Sequence, residues 1–146
     1  MADIQVVREF QVTPERLFRA VTQRAEVINW WGHDGMELPA HNLDFSQTGP
    51  WFSEMIGEDG THYKLAGQVT HVNAPNTVGF TWKWESPDFL TAPESHVTFT
   101  VEATAGGARL IVDHRELPNQ EIAARHTAGW AGPMGRLERY VAALAA

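Results

Sequence analysis

Apolar and polar residues alternate with a period of two through the middle of the chain, the pattern of strands with one buried and one wet face. Val78, Phe80, Trp82 and Trp84 fall on one side, against Gly79, Thr81, Lys83 and Glu85. Val97, Phe99 and Val101 oppose His96, Thr98, Thr100 and Glu102. A further segment places Leu110, Val112 and His114 together against Arg109, Asp113 and Arg115, with Ile111 breaking the pattern. His114 therefore points where apolar side chains point. Earlier segments fit less cleanly, but Tyr63, Leu65, Gly67 and Val69 can share a face, as can Trp51, Ser53 and Met55. Turn signals at Gly49-Pro50, Glu58-Asp59-Gly60, Ala74-Pro75-Asn76, Ser86-Pro87-Asp88 and Ala105-Gly106-Gly107 separate these strands.

Toward the C-terminus the period changes. From Asn119 to Ala146, the residues Ile122, His126, Trp130, Pro133, Met134, Leu137, Val141 and Leu144 recur at three- and four-residue steps, which predicts one long amphipathic helix. Pro118 stops the preceding strand, and Asn119 can accept from the free amides of the first turn. Pro133 lacks a donor and crowds the carbonyl of Gly129, so a bend between Trp130 and Gly135, or a division into two helices, is expected. At the other end, Ile4 to Gln11 reads as a strand. Thr13 and Pro14 then mark a helix start whose apolar face is Leu17, Phe18 and Val21. A second short helix, from about Ala25 to Trp31, ends at Gly32, and Trp30 and Trp31 are expected to fasten it. His33 to Pro39 reads as a loop, with Asp34, Glu37 and Asp44 near His33 and His41 forming a solvated stretch.

This order gives an α+β fold over residues 1–146 as one domain. A curved antiparallel sheet of about six to seven strands follows two short helices after the first strand, and it wraps around the long C-terminal helix. Only that helix remains to cover the apolar face of the sheet. Side chains that fill the space between them make a core; side chains that fall short leave a cavity.

Composition narrows the chemistry. With no cysteine, disulfides, thiolate metal sites and cysteine nucleophiles are excluded. The net charge of −7, with scattered lysines and arginines, lacks the basic footprint of a nucleic-acid binder. No leader-like or membrane-spanning run is present, so a cytoplasmic protein without membrane insertion is expected. The seven histidines form neither a His-x-x-x-His nor a His-x-His pair, and neither a metal nor another cofactor is expected. Six tryptophans and seven phenylalanines are many for this length, and they serve either the core or a ligand site.

The segments Phe10-Gln-Val-Thr-Pro-Glu-Arg-Leu-Phe18, Val27-Ile-Asn-Trp30-Trp31-Gly32, Gly67-Gln-Val69, Phe80-Thr-Trp82 and Gly129-Trp130 with Leu137 resemble the START-like superfamily. Within it, they are most similar to the branch related to the C-terminal domain of the Hsp90 ATPase activator. The resemblance covers nearly the whole chain and implies a helix-grip fold. Members hold apolar or aromatic small molecules between sheet and helix: they bind lipids, sequester natural products or cyclise polyketides. Pro133 inside the last helix departs from the uninterrupted pattern usual in the family.

The expected lining of such a cavity is Trp51, Met55, Leu65, Trp82, Trp84, Phe99, His114, His126, Trp130 and Met134, with no catalytic residue assigned. Trp30 and Trp31, beside the Gly32–Gly35 loop, offer a gate as a secondary role. His114 or His126 could orient a guest or move a proton near neutral pH, although Asp113 should point away from His114. The expected function is binding of a lipid or polyketide-like molecule. The rivals are a cavity cyclase or hydrolase using His114 or His126 as acid-base group, and an Hsp90 co-chaperone-like interaction protein. Exposed strand edges leave a homodimer open.

Overall fold

The computed structural model describes residues 1–145. Its elements run β1 (Ala2–Phe10), α1 (Pro14–Thr22), α2 (Arg24–Val27), β2 (Glu37–Asn42), β3 (Gly49–Ile56), β4 (His62–Asn73), β5 (Thr77–Ser86), a 3₁₀ turn (Asp88–Leu90), β6 (Ser95–Thr104), β7 (Gly107–Leu117) and α3 (Gln120–Ala145). All seven strands form one antiparallel sheet in the order β1-β7-β6-β5-β4-β3-β2. The chain thus meanders from β2 to β7 and closes against β1, which leaves β1 and β2 as the edges. Register shifts interrupt the β1–β7, β2–β3 and β4–β5 pairings, and such bulges deepen the bend of a sheet. The curved sheet, the long helix and the two short helices make a helix-grip fold.

The alternation read from the sequence is the burial pattern of the sheet. Val78, Phe80 and Trp82 of β5, Val97, Phe99 and Val101 of β6, and Leu110, Val112 and His114 of β7 are all buried. Thr13 caps α1 by accepting from the Arg16 amide at 3.1 Å, and Asn119 Oδ1 accepts from the Ile122 amide at 2.9 Å at the start of α3.

Several expectations are corrected. Gly49-Pro50 lies within β3 rather than in a turn. Residues 37–42, read as loop, are β2, so Glu37 and His41 belong to an edge strand. α2 is a single turn, Arg24–Val27, and Trp30 and Trp31 follow it; Gly32, at φ +81°, turns the chain away. α3 is one helix through Pro133, because a proline removes a single helical bond while Trp130, Met134 and Leu137 are buried on either side of it. The end expected at Ala146 lies outside the described residues. Leu144, expected on the inward stripe, is 42% exposed because the helix has by then run past the sheet.

The concave face is covered by two different things. α1 packs over β6 and β7, and α3 lies along β1 and β7. Leu17, Phe18, Val21, Val27, Trp30, Leu43 and Phe45 fill the space beneath, in one cluster with the inward residues of the sheet. Phe45 stacks on Phe80 at 4.4 Å between ring centroids and meets Phe99 edge-on at 6.2 Å. Arg136 of α3 holds the segment after α2 by donating to the carbonyls of Trp31, at 2.7 Å, and Asn29, at 3.3 Å. Arg139 adds bonds to both carboxylate oxygens of Asp34, each 2.8 Å. Among the described residues no helix is long and apolar enough to cross a membrane.

One glycine fixes a cross-sheet link. Gly67 of β4 faces Trp51 of β3, whose indole passes over it and donates to the Thr81 carbonyl of β5 at 3.0 Å. A Cβ at position 67 would lie 2.0 Å from that carbonyl oxygen and 2.6 Å from the indole nitrogen. Gly67→Ala must therefore break the link and strand a buried indole N–H. Urea unfolding should show a loss of about 2–4 kcal/mol, whereas a loss below about 0.5 kcal/mol would mean that the strand absorbs the methyl group freely.

Candidate functional site

Beside the packed half of the concave face, a cavity of about 440 Å³ opens between the first half of α3 and the β3–β5 side of the sheet. Sites for small molecules typically measure about 300–1,000 Å³. Its walls come from four places. Met55, Leu65, Trp82 and Trp84 rise from the sheet; His126, Ala128, Gly129, Trp130 and Pro133 descend from α3. Trp31, Gly32, His33 and Met36 close it from the segment after α2, and Phe89, Leu90 and Arg125 form the lip beside the 3₁₀ turn, with Tyr63 completing the wall.

Six of the residues expected at the site therefore meet here: Met55, Leu65, Trp82, Trp84, His126 and Trp130. Four do not reach the surface of the cavity. Trp51, Phe99, His114 and Met134 are at most 1% exposed and belong to the packed layer beneath or beside it. They share the inward face, but Trp51 is drawn to Thr81, Phe99 packs on Trp30 and Phe45, and His114 lies beneath Trp130. Trp31, given only a secondary role in the sequence, stands in the wall itself, which its neighbour Gly32 makes possible: a Cβ there would press on Met55 Sδ at 2.9 Å. Met36, Tyr63, Phe89 and Arg125 were missed. The turn signal at Ser86-Pro87-Asp88 marks where Phe89 leaves the sheet, but nothing in the sequence says that it returns to α3.

The indoles around the cavity are tethered. Trp31 donates to Ser53 Oγ at 2.9 Å, Trp84 to His126 Nε2 at 2.9 Å and Trp130 to His114 Nδ1 at 3.1 Å. An indole N–H can only donate, so these bonds settle both histidine tautomers. His126 Nε2 accepts, hence its Nδ1–H donates to the Ile122 carbonyl, 2.8 Å away. His114 Nδ1 accepts, hence its Nε2–H donates to Ser95 Oγ at 2.8 Å, and the Ser95 hydroxyl donates onward to the Trp82 carbonyl at 3.3 Å. Trp82 is the exception: its Nε1 is buried with no acceptor among the described residues.

Neither imidazole can take a second proton without setting N–H against N–H. Burial, together with nearby His126 and His96, lowers the His114 pKa to about 3. Burial likewise lowers that of His126, partly opposed by its bond to Ile122. The two rings lie edge to face with centroids 4.9 Å apart, a spacing that disfavours charge on both at once. Both are neutral struts at physiological pH, with every ring nitrogen engaged. Among the described residues no group of three or more His, Asp or Glu side chains is arranged to hold a metal ion.

A grip of sheet around helix with an opening at one end is the architecture of helix-grip domains. The comparisons narrow it further: a family model described as Activator of Hsp90 ATPase homolog 1-like protein matches residues 11–142, and the chain belongs to that family. The AHSA1 protein from Silicibacter pomeroyi is 48% identical, with a TM-score of 0.89 over 97% of this chain and 98% of that one. A protein from Chromobacterium violaceum (18% identity, TM-score 0.81, 95% and 96% of the two chains) shares the fold. So does an AHSA1-like protein from Aeromonas hydrophila (18%, 0.77, 99% and 94%). No curated protein matches the sequence.

The histidine struts make stability depend on pH. Their folded pKa values lie below the unfolded value near 6.5, so the unfolded chain binds more protons as pH falls. The contribution is complete above pH 6.5 and is lost on the way down toward pH 3. Between pH 6.5 and 5, His114 alone should cost about 1.5–2 kcal/mol, with His126 adding in the same direction. Urea unfolding at the two pH values checks this, and a flat profile would contradict the assignment of both tautomers.

Proposed function

We propose that this protein is a non-catalytic binding module that holds an apolar or aromatic small molecule, lipid or polyketide-like, between the sheet and α3. The observation that carries the reading is the cavity wall: Trp31, Trp82, Trp84, Trp130, Met55 and Leu65 present aromatic and aliphatic surface to an open space of about 440 Å³. Closing that surface against an apolar guest removes it from water at roughly 25 cal/mol per Å². The histidines support binding over acid-base chemistry, because a ring nitrogen already bonded to an indole or a serine has no free position for a substrate proton. Their part in this reading is to hold the walls, and the setting is the cytoplasm.

Gly129 offers a clean test. It lines the cavity, and a Cβ built on it meets nothing within 4 Å. Gly129→Leu should fill part of the space while favouring the helix by roughly 0.5–1 kcal/mol. Tryptophan fluorescence and native mass spectrometry against a panel of lipids and polyaromatic compounds should find ligands of the wild-type protein. The variant should bind them at least about tenfold more weakly, with an unfolding midpoint no lower than wild type. Absence of any bound compound, or unchanged affinity in Gly129→Leu, would refute the proposal.

A further inference from the structure

The charge pattern of the same cavity narrows the class of guest. Among the residues that line it, Arg125 is the one arginine or lysine, and no aspartate or glutamate is present. Arg125 stands at the lip with its side chain 40% exposed, and its guanidinium carbon lies 5.3 Å above the centre of the Phe89 ring. The guanidinium has five N–H donors. One bonds the Phe89 carbonyl at 3.2 Å and one the Glu121 carboxylate at 3.1 Å, so three remain for another acceptor. Glu121 is itself 76% exposed, and an exposed pair four residues apart on a helix is worth only a few tenths of a kcal/mol. A competing carboxylate can displace it. Deeper in, His126 has no free nitrogen, and the rest of the lining is mainly indole, thioether and aliphatic carbon, with the His33 imidazole and the Tyr63 phenol as its other polar side chains. An apolar body fits the interior, and the one permanently charged cation of the lining, with which an anionic end can pair, stands at the lip.

We infer that the guest is an amphipathic carboxylate, a fatty or aryl-alkanoic acid, whose hydrocarbon lies against Trp82, Trp84 and Trp130 while its carboxylate pairs with Arg125 at the mouth. The inference rests on the binding reading above and adds the chemistry of the head group. It also separates two roles for Arg125. If the side chain only clamps the 3₁₀ turn onto α3, its loss loosens the lip for every guest; if it recognises a carboxylate, the loss is confined to acids.

The experiment uses dodecanoate and dodecanol, which share a chain and differ at the head, measured by calorimetry at low salt on the whole protein. For wild type, dodecanoate affinity should fall as salt rises, and dodecanol affinity should not fall with it. Arg125→Gln should weaken dodecanoate about tenfold and leave dodecanol within about twofold, and Arg125→Lys should restore a substantial part of the loss. Glu121→Gln, which frees the guanidinium, should strengthen dodecanoate about two- to threefold. Equal weakening of both ligands in Arg125→Gln, or unchanged dodecanoate binding, would overturn the inference and leave the cavity reading standing. If wild type binds neither ligand nor any member of the broader panel, the binding reading fails and this inference falls with it.

Discussion

The cavity depends on a set of indole hydrogen bonds that fix large rings at its edge. A tryptophan beside an open space would ordinarily turn into it, because filling the space adds dispersion attraction and takes apolar surface out of water. Here Trp31 is held by Ser53 and Trp130 by His114 through buried bonds, and Trp84 by His126 through a part-buried one. Swinging a ring inward would strand its N–H, at a cost of about 1–3 kcal/mol, and would orphan the acceptor as well. The histidines take part only as neutral rings. The same burial that keeps them uncharged makes them dependable acceptors, so the openness of the cavity and the pH sensitivity of the fold have one cause.

The position of the cavity follows from how unevenly the concave face is covered. α1 covers β6 and β7, and Leu17, Phe18, Trp30, Leu43 and Phe45 fill one continuous cluster with the sheet, Phe45 stacking on Phe80 of β5. α1 stops short of the side toward β3–β5, where the first half of α3 stands over the sheet with Gly129 in place of a larger residue. Gly129 and Ala128 leave room where bulky side chains would have completed a core, while Gly32 lets the chain pass close against Met55. Arg136 and Arg139 then tie the segment after α2 to α3, so the wall holding Trp31 is part of the frame.

Much of the fold was legible in the sequence, since alternation along β5, β6 and β7 and the cap at Asn119 are local signals with direct structural consequences. The inward face was also legible, which is why Met55, Leu65, Trp82, Trp84, His126 and Trp130 were brought together. Alternation reports which face a side chain occupies, but not which part of a curved sheet another element will cover. Phe99 and His114 carry the same signal as Trp82 and differ from it only in lying under Trp30 and Trp130. Phe89 and Arg125 belong to a contact between a 3₁₀ turn and a helix 36 residues apart, for which the chain carries no periodic mark. Pro133 misled in the opposite sense: a local rule against helix was outweighed by burial on both sides of it.

Tethered rings hold an apolar space open at one end of this fold. A crystal structure under xenon pressure tests it most directly, because xenon occupies apolar space that water fills poorly. Xenon should appear between Trp82, Trp130 and Met55, with the Trp84 and Trp130 indoles still bonded to His126 and His114. An interior without xenon, closed by an indole that has left its histidine, would contradict it.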